Sequence, residues 1–394
     1  MIRAKVLIYI CLYTAVTYVD SARILGVFSM PSISHQVVFR ALTFELAKRG
    51  HELVVFTPNP VSPAEGIPNN ITEIDTGAVY LEWRLIKSTL ETDEKQNEFL
   101  KTRFGPNAPT VRELRNNVQM LFLNAHPIMG NNRPVPPSVV YLGGLHLKPP
   151  KPLPQDLQTY LDASIRGVIY VSFGTNVRPS NMDQDFLDAF LQAFESLPYD
   201  VLWKFDGDNL ERIPKNLKIQ KWFPQRDLLL HHNVKAFVTQ GGLQSSDEAI
   251  DAGVPLIGIP MLADQWYNVN KYVELGIGVQ INALTMTADD LTQAVEKIVS
   301  DTSYRQNIRR VRAIINDQPE SPLERALWWT EHVLKHGGNH LRAPSANTTW
   351  SEHLMLDVVL LVLSIILVTG FLLIYASFKI WNLLKYKLEK VKLH

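Results

Sequence analysis

Two groups of residues in this chain have types and spacings suited to chemistry. The first runs from Trp222 to Gln265: the aromatic Trp222 with Gln225 after it, then Gln240, Gly241, Gly242, Gln244, Ser245 and Glu248, and last the pair Asp264 and Gln265. Ala236 to Thr239 has strand character, the glycine pair stops it, and Leu243 to Ala252 has helical spacing ended by Gly253. Strand, glycine turn and helix in that order put free backbone N–H groups and the positive end of a helix dipole at the carboxyl edge of a sheet, an arrangement that suits a phosphate. The second group is a single residue, His35. It follows the strand Arg23 to Phe28 and a small-residue loop, and opens a helical stretch closed by Gly50. In a first helical turn the dipole favours the neutral imidazole, the form able to accept a proton.

Each residue also has a plainer role open to it. Trp222 could be core, Ser245 and Glu248 first-turn residues favoured by the helix dipole, Asp264 an N-cap, and His35 a helix cap. The composite spacing favours binding for the set as a whole.

Trp222, Gln225, Thr239, Gly242, Ser245, Glu248, Pro255, Pro260, Asp264 and Gln265 together closely resemble the signature of the UDP-glycosyltransferase family. The resemblance implies two facing Rossmann-like domains, the GT-B arrangement, an α/β fold. It also implies roles. Trp222 stacks on uracil and Gln225 bonds the base edge. Gln240, Gln244 and Ser245, with Gly242 in the turn, hold the pyrophosphate. Glu248 takes the ribose hydroxyls, and Asp264 and Gln265 read the donor sugar. Thr175, in the turn after the strand Val168 to Phe173, is implied as a further diphosphate contact, although an ordinary strand-to-helix turn explains it equally well. His35 matches the general base that deprotonates the acceptor. Gln240 stands where His is usual in the family, and Gln244 where Asn or His is frequent; both keep an N–H donor but give up the charge of a protonated His.

Lys and Arg together balance Asp and Glu, 39 against 39, and no basic stripe stands out, which argues against nucleic acid as a partner. The one cysteine, Cys11, lies in the N-terminal apolar stretch, so a processed secretory form would hold no disulfide. Residues 1–22 have the three parts of a signal peptide. Two glycosylation acceptor sequences begin at Asn70 and Asn347. Residues 358–378 are uncharged and long enough to span a bilayer, and the lysines of residues 379–394 place that tail in the cytosol. The expected topology is single-pass type I with the body in the lumen. Lysines third and fifth from the end resemble a retrieval signal for the endoplasmic reticulum.

Residues 23–147 are expected to form an acceptor-side domain, 148–154 a Pro-rich linker, and 155–342 a βα-alternating domain that binds the UDP-sugar. Judged by resemblance, the first domain is short by roughly a hundred residues, with the junction between Lys87 and Arg103. The aspartate that should orient His35 is not assignable, because only Asp75 and Asp93 lie between the signal and Pro150. The resemblance implies transfer of glucose or glucuronate from a UDP-sugar, a co-substrate, to a small lipophilic acceptor with inversion, using no metal and no cofactor. The implied partners are the membrane and, as a homo- or hetero-oligomer, related transferases. The rival expectation is a donor-binding form that is impaired in catalysis and pairs with intact transferases.

Overall fold

A computed structural model describes residues 21–28, 33–61, 66–75, 92–207, 210 and 212–391; residues 1–20 of the expected signal peptide and the side chains of His35 and Asn347 lie outside the described residues. The N-terminal half begins β1 (Arg23–Val27), α1 (Ile33–Lys48), β2 (Glu52–Thr57) and β3 (Ile71–Asp75), a parallel sheet in the order β1-β2-β3. The polar stretch that follows forms the surface helices α2 (Asp93–Phe104) and α3 (Val111–Asn116), started by Thr92 and by a Thr110–Glu113 capping box. Two short parallel strands, β4 (Leu121–Leu123) and β5 (Val139–Tyr141), make a separate sheet.

After the linker come α4 (Gln155–Ala163), β6 (Val168–Ser172), α5 (Gln184–Ser196), β7 (Asp200–Lys204), β8 (Leu217–Gln220), α6 (Gln225–Leu229), β9 (Val234–Thr239), α7 (Leu243–Ala252), β10 (Leu256–Gly258), α8 (Gln265–Glu274), β11 (Gly278–Gln280), α9 (Ala288–Ser300) and α10 (Thr302–Asn316); helices and strands alternate, except that β7 leads directly to β8 and α9 to α10. The parallel sheet has the order β11-β10-β9-β6-β7-β8. The chain thus builds outward from β6 in one direction, returns, and builds outward from β9 in the other. The topological switch point lies between β6 and β9, where Ser172 pairs with Thr239.

Strand periodicity divides the core. Ile169, Val171, Trp203, Ala236 and Val238 face α5 and α9, and Val168, Tyr170, Leu202 and Phe237 face α4, α7, α8 and α10. Every residue of β6 is buried, as a central parallel strand covered by helices on both faces requires.

The last helix of the globular body, α11 (Pro322–His336), is grouped by sequence with the second domain, but it packs on the first. Leu327 joins Leu46, Leu53, Val55 and Ile71, Ala326 joins Val38 and Val140, and Arg49 pairs with Glu331 at 3.0 Å. The chain therefore crosses between the halves twice. After α12 (Trp350–His353), α13 (Leu356–Val391) is one continuous helix, of which Leu356–Lys385 is long and apolar enough to cross a membrane and is exposed along its length.

Candidate functional site

The turns after β6 and β9, the loop after β8 and the start of α8 open on one cleft of about 1010 Å³ between the two halves. Thr175, Trp222, Gln225, Gln240, Gly242, Gln244, Ser245, Glu248, Asp264 and Gln265 all line it. Val37 to Phe39 of α1 and Phe122 to Ala125, from β4 and the turn after it, border it from the N-terminal side, so the helix that carries His35 reaches the same space.

The glycine turn is sterically fixed. Gly241 has φ +92°, and a Cβ there would lie 2.5 Å from a methyl of Val269. Gly174, at φ +68° after β6, leaves room for the Gln240 amide, whose nitrogen would stand 2.5 Å from an added Cβ. Gln240 is thereby buried across the switch point, its Oε1 accepting from the Thr239 hydroxyl at 3.2 Å. Gly242 is the N-cap of α7 and brings no side-chain cap, so no side chain of its own competes for the first N–H groups of the helix.

Behind this turn a hydrogen-bonded chain sets Gln225. The buried Tyr170 hydroxyl donates to Gln225 Oε1 at 3.2 Å, and Gln225 Nε2 donates to Ser245 Oγ at 3.0 Å and Glu248 Oε2 at 2.7 Å. Because Tyr170 occupies the amide oxygen, the nitrogen must point at Ser245 and Glu248. Burial raises the Glu248 carboxyl above its ordinary range, and the Gln225 bond partly offsets this. Trp222 is 65 % exposed, so core packing is not its role. Lys204, at the end of β7, sits 4.7 Å from its ring centroid and donates to the Gly174 carbonyl at 2.5 Å. Burial lowers the Lys204 pKa.

Asp264 stands at the N-cap of α8 but makes no capping bond; it accepts instead from Asn268 Nδ2 at 3.1 Å, and the same nitrogen donates to the Gly241 carbonyl at 2.9 Å. Gln265 Oε1 accepts from the Met261 and Leu262 N–H groups at 2.9 and 2.8 Å, which holds the loop before α8. His146, just before the linker, is buried, its pKa lowered to about 4 by that burial, and its Nε2 lies 3.2 Å from the Gln244 carbonyl. Neutral imidazole donates this bond.

Tyr170, Lys204, Asn268 and His146 are absent from the sequence-derived set. Lys204 was findable, because it ends a strand at the same carboxyl edge. The other three depend on which side chains meet across elements. Away from the cleft, Asp93 pairs with Arg115 at 2.9 Å, and the Asn70 amide nitrogen donates to the Ala47 and His51 carbonyls at 2.6 Å each.

Solved structures share this architecture. UDP-glucose: anthocyanidin 3-O-glucosyltransferase in complex with UDP matches with a TM-score of 0.59 at 16 % identity, covering 79 % of this chain and 98 % of that one. Arabidopsis thaliana UGT89C1 complexed with quercetin matches with a TM-score of 0.58 at 18 % identity, covering 79 % and 98 %. Such likeness shows the GT-B fold. In sequence, the chain is 48 % identical over 295 residues to the ecdysteroid UDP-glucosyltransferase of Lymantria dispar multicapsid nuclear polyhedrosis virus, covering 74 % of this chain and 58 % of that protein. It is 38 % identical over 267 residues to UDP-glucosyltransferase 2 of Dactylopius coccus, covering 68 % and 52 %. The chain thus spans a little over half the length of these relatives. The family model described as UDP-glucoronosyl and UDP-glucosyl transferase matches residues 85–390, and with this extent of agreement the chain belongs to that family.

Proposed function

We propose that the chain binds a UDP-sugar in this cleft and transfers its hexose, with inversion, to a hydroxyl of a small lipophilic acceptor. The observation that carries the reading is the switch point itself. An α7 N-terminus with no side-chain cap, Ser245 and Glu248 tied to Gln225, and the exposed Trp222 ring converge on one cleft. Uracil stacks on Trp222, the ribose hydroxyls donate to Glu248, and the diphosphate meets the first N–H groups of α7 with Gln240, Gln244 and Thr175 beside them. Asp264 and Gln265 face the sugar. The glucosyl transfer named for the relatives favours glucose over glucuronate as the hexose. Val37, Val38, Phe39 and Phe122 give the acceptor side an apolar wall, which suits a steroid-like acceptor of the kind named for the viral relatives.

In the transfer, His35 takes the acceptor proton as the acceptor oxygen bonds to the anomeric carbon and the bond from that carbon to the phosphate oxygen breaks. The α7 N-terminus stabilises the charge that develops on the departing UDP. The body lies in the lumen of the endoplasmic reticulum, anchored by α13, with the basic tail in the cytosol.

One observation favours the second reading, a donor-binding form that pairs with related transferases. Among the described residues β1 hydrogen-bonds only to β2, and its Leu25 and Val27 are 64 % and 63 % exposed. An apolar, open strand edge is a template for pairing. Titrating UDP by calorimetry and assaying glycosyl transfer to a panel of small phenols on the same preparation separates the readings. Binding with transfer supports the enzyme, binding without transfer supports the partner form, and failure to bind UDP removes the donor site itself.

A further inference from the structure

Behind α7, on the side away from the donor cleft, lies a second cavity of about 310 Å³. Its walls come from both crossings between the halves: Gly143, Gly144 and Leu147 on the outward path, Gln318, Glu320 and Ser321 on the return. It shares no lining residue with the donor cleft.

The charge of this cavity is one-sided. Asp247, Asp251 and Glu320 line it, and among the described residues no Lys or Arg does. Asp251 is neutralised by Arg226 at 2.5 Å. Among the described residues Asp247 has no ion-pair partner. It is 8 % exposed, the Gly144 backbone N–H is the one donor that favours its charged form, and its Oδ2 has no hydrogen-bond partner among the described residues. A buried carboxyl oxygen without a donor is an unmet demand for an N–H or a positive charge. Leu147, Ile250, Ile315 and Pro322 supply apolar wall. Among the described residues no group of three or more His, Cys, Asp or Glu is arranged to hold a metal ion, and the volume far exceeds that of an ion.

We propose that this hinge cavity binds a small organic cation, a protonated amine on an apolar body, whose ammonium group donates to Asp247 Oδ2. The occupant bridges the two crossings and the back of the donor helix, where Asp247 is the immediate neighbour of Glu248.

Binding is linked to protons. Burial, reinforced by the negative charge of Glu248, raises Asp247 to about 8, so at neutral pH the empty site is largely protonated and a cation must displace that proton. The other groups around Asp247 are Glu248 and Asp251 on its own helix, Arg226 on α6, Tyr272 on α8, His126 after β4, His146 on the outward path and Glu320 on the return. Burial, and after it the charge of Arg325, lower the His126 pKa.

The test uses the full chain in detergent, with benzylamine as probe and benzyl alcohol as its neutral counterpart. Calorimetry in two buffers of different ionisation heat should show saturable benzylamine binding with proton release, tightening from about pH 6 to about pH 8, and no comparable binding of benzyl alcohol. Asp247→Asn, checked for folding by circular dichroism, should weaken benzylamine by roughly tenfold or more, as loss of a charged hydrogen bond implies. Glu320→Gln, on the open rim, tests the same field with less risk to the fold and should weaken it about twofold. Absence of saturable benzylamine binding, equal binding of the alcohol, or an Asp247→Asn protein that binds benzylamine as tightly as the parent would overturn the assignment.

Discussion

Removing Glu248 should weaken UDP binding by an amount that the site geometry sets. Glu248 is half-buried, its Oε2 takes one proton of Gln225 at 2.7 Å, and its carboxyl group lines the cleft. A ribose diol would place its O–H groups there as charge-assisted hydrogen bonds. Loss of such bonds costs about 1.5 to 3 kcal/mol, or roughly 10- to 150-fold in Kd. Glu248→Ala should therefore bind UDP that much more weakly. Glu248→Gln, which keeps shape and one acceptor, should fall near the lower end. Gln225 keeps its bonds to Ser245 and Tyr170, so the loop should not collapse. The discriminating ligand is 2′,3′-dideoxy-UDP, which should bind parent and variant alike by calorimetry. Because burial raises the Glu248 pKa, the acceptor form is lost on acidification earlier than for an ordinary glutamate, and parental UDP affinity should fall as pH drops through that range. An unchanged UDP Kd in a folded Glu248→Ala protein, or an equal loss for the dideoxy ligand, would refute the ribose assignment.

Tyr170→Phe should weaken UDP by about fivefold, the worth of about 1 kcal/mol for a neutral hydrogen bond, with calorimetry as the measurement. His35→Ala should leave UDP binding unchanged and lower any transfer rate by about 10² to 10⁴, read by single-turnover assay. Asp247 has a raised pKa in the folded protein, about 8 against 3.8, so the folded state holds its proton where the unfolded state has lost it. Its contribution to stability is complete below the unfolded value and declines as pH rises towards the folded one. Asp247→Asn should remove this decline, and the difference between variant and parent in urea unfolding should widen by about 1.4 kcal/mol per pH unit between those limits. Protease added to sealed microsomes should remove only a short C-terminal piece, and digestion of the body in intact vesicles would exclude the proposed orientation.

The sequence by itself determined the second domain and its cleft, because both rest on local signals. Strand runs, glycine stops and helical spacing recur in register, and an alternating βα chain has few ways to close a parallel sheet. Helix α10 escaped this reading, as did β10 and β11, whose short strands carry little periodicity to detect. Trp222, Ser245 and Glu248 were legible as a set because one strand-turn-helix unit and the loop before it fix their spacing along the chain. Only the tertiary structure decided whether Trp222 is core or surface, since exposure depends on what covers the ring. Only packing could show that Tyr170 sets the Gln225 amide, that Lys204 lies by the indole, or that Asn268 holds Asp264. These contacts join residues that share no helical or strand period. The same holds for α11. Its amphipathic pattern announces a helix that must bury one face, but a pattern cannot name the partner surface, and it is Leu46, Leu53 and Val38 of the first half that receive Ala326 and Leu327. From that choice follow the second crossing and the buried carboxyl oxygen of Asp247 that has no partner among the described residues, because a side chain on the back of the donor helix meets the hinge only once the chain has returned.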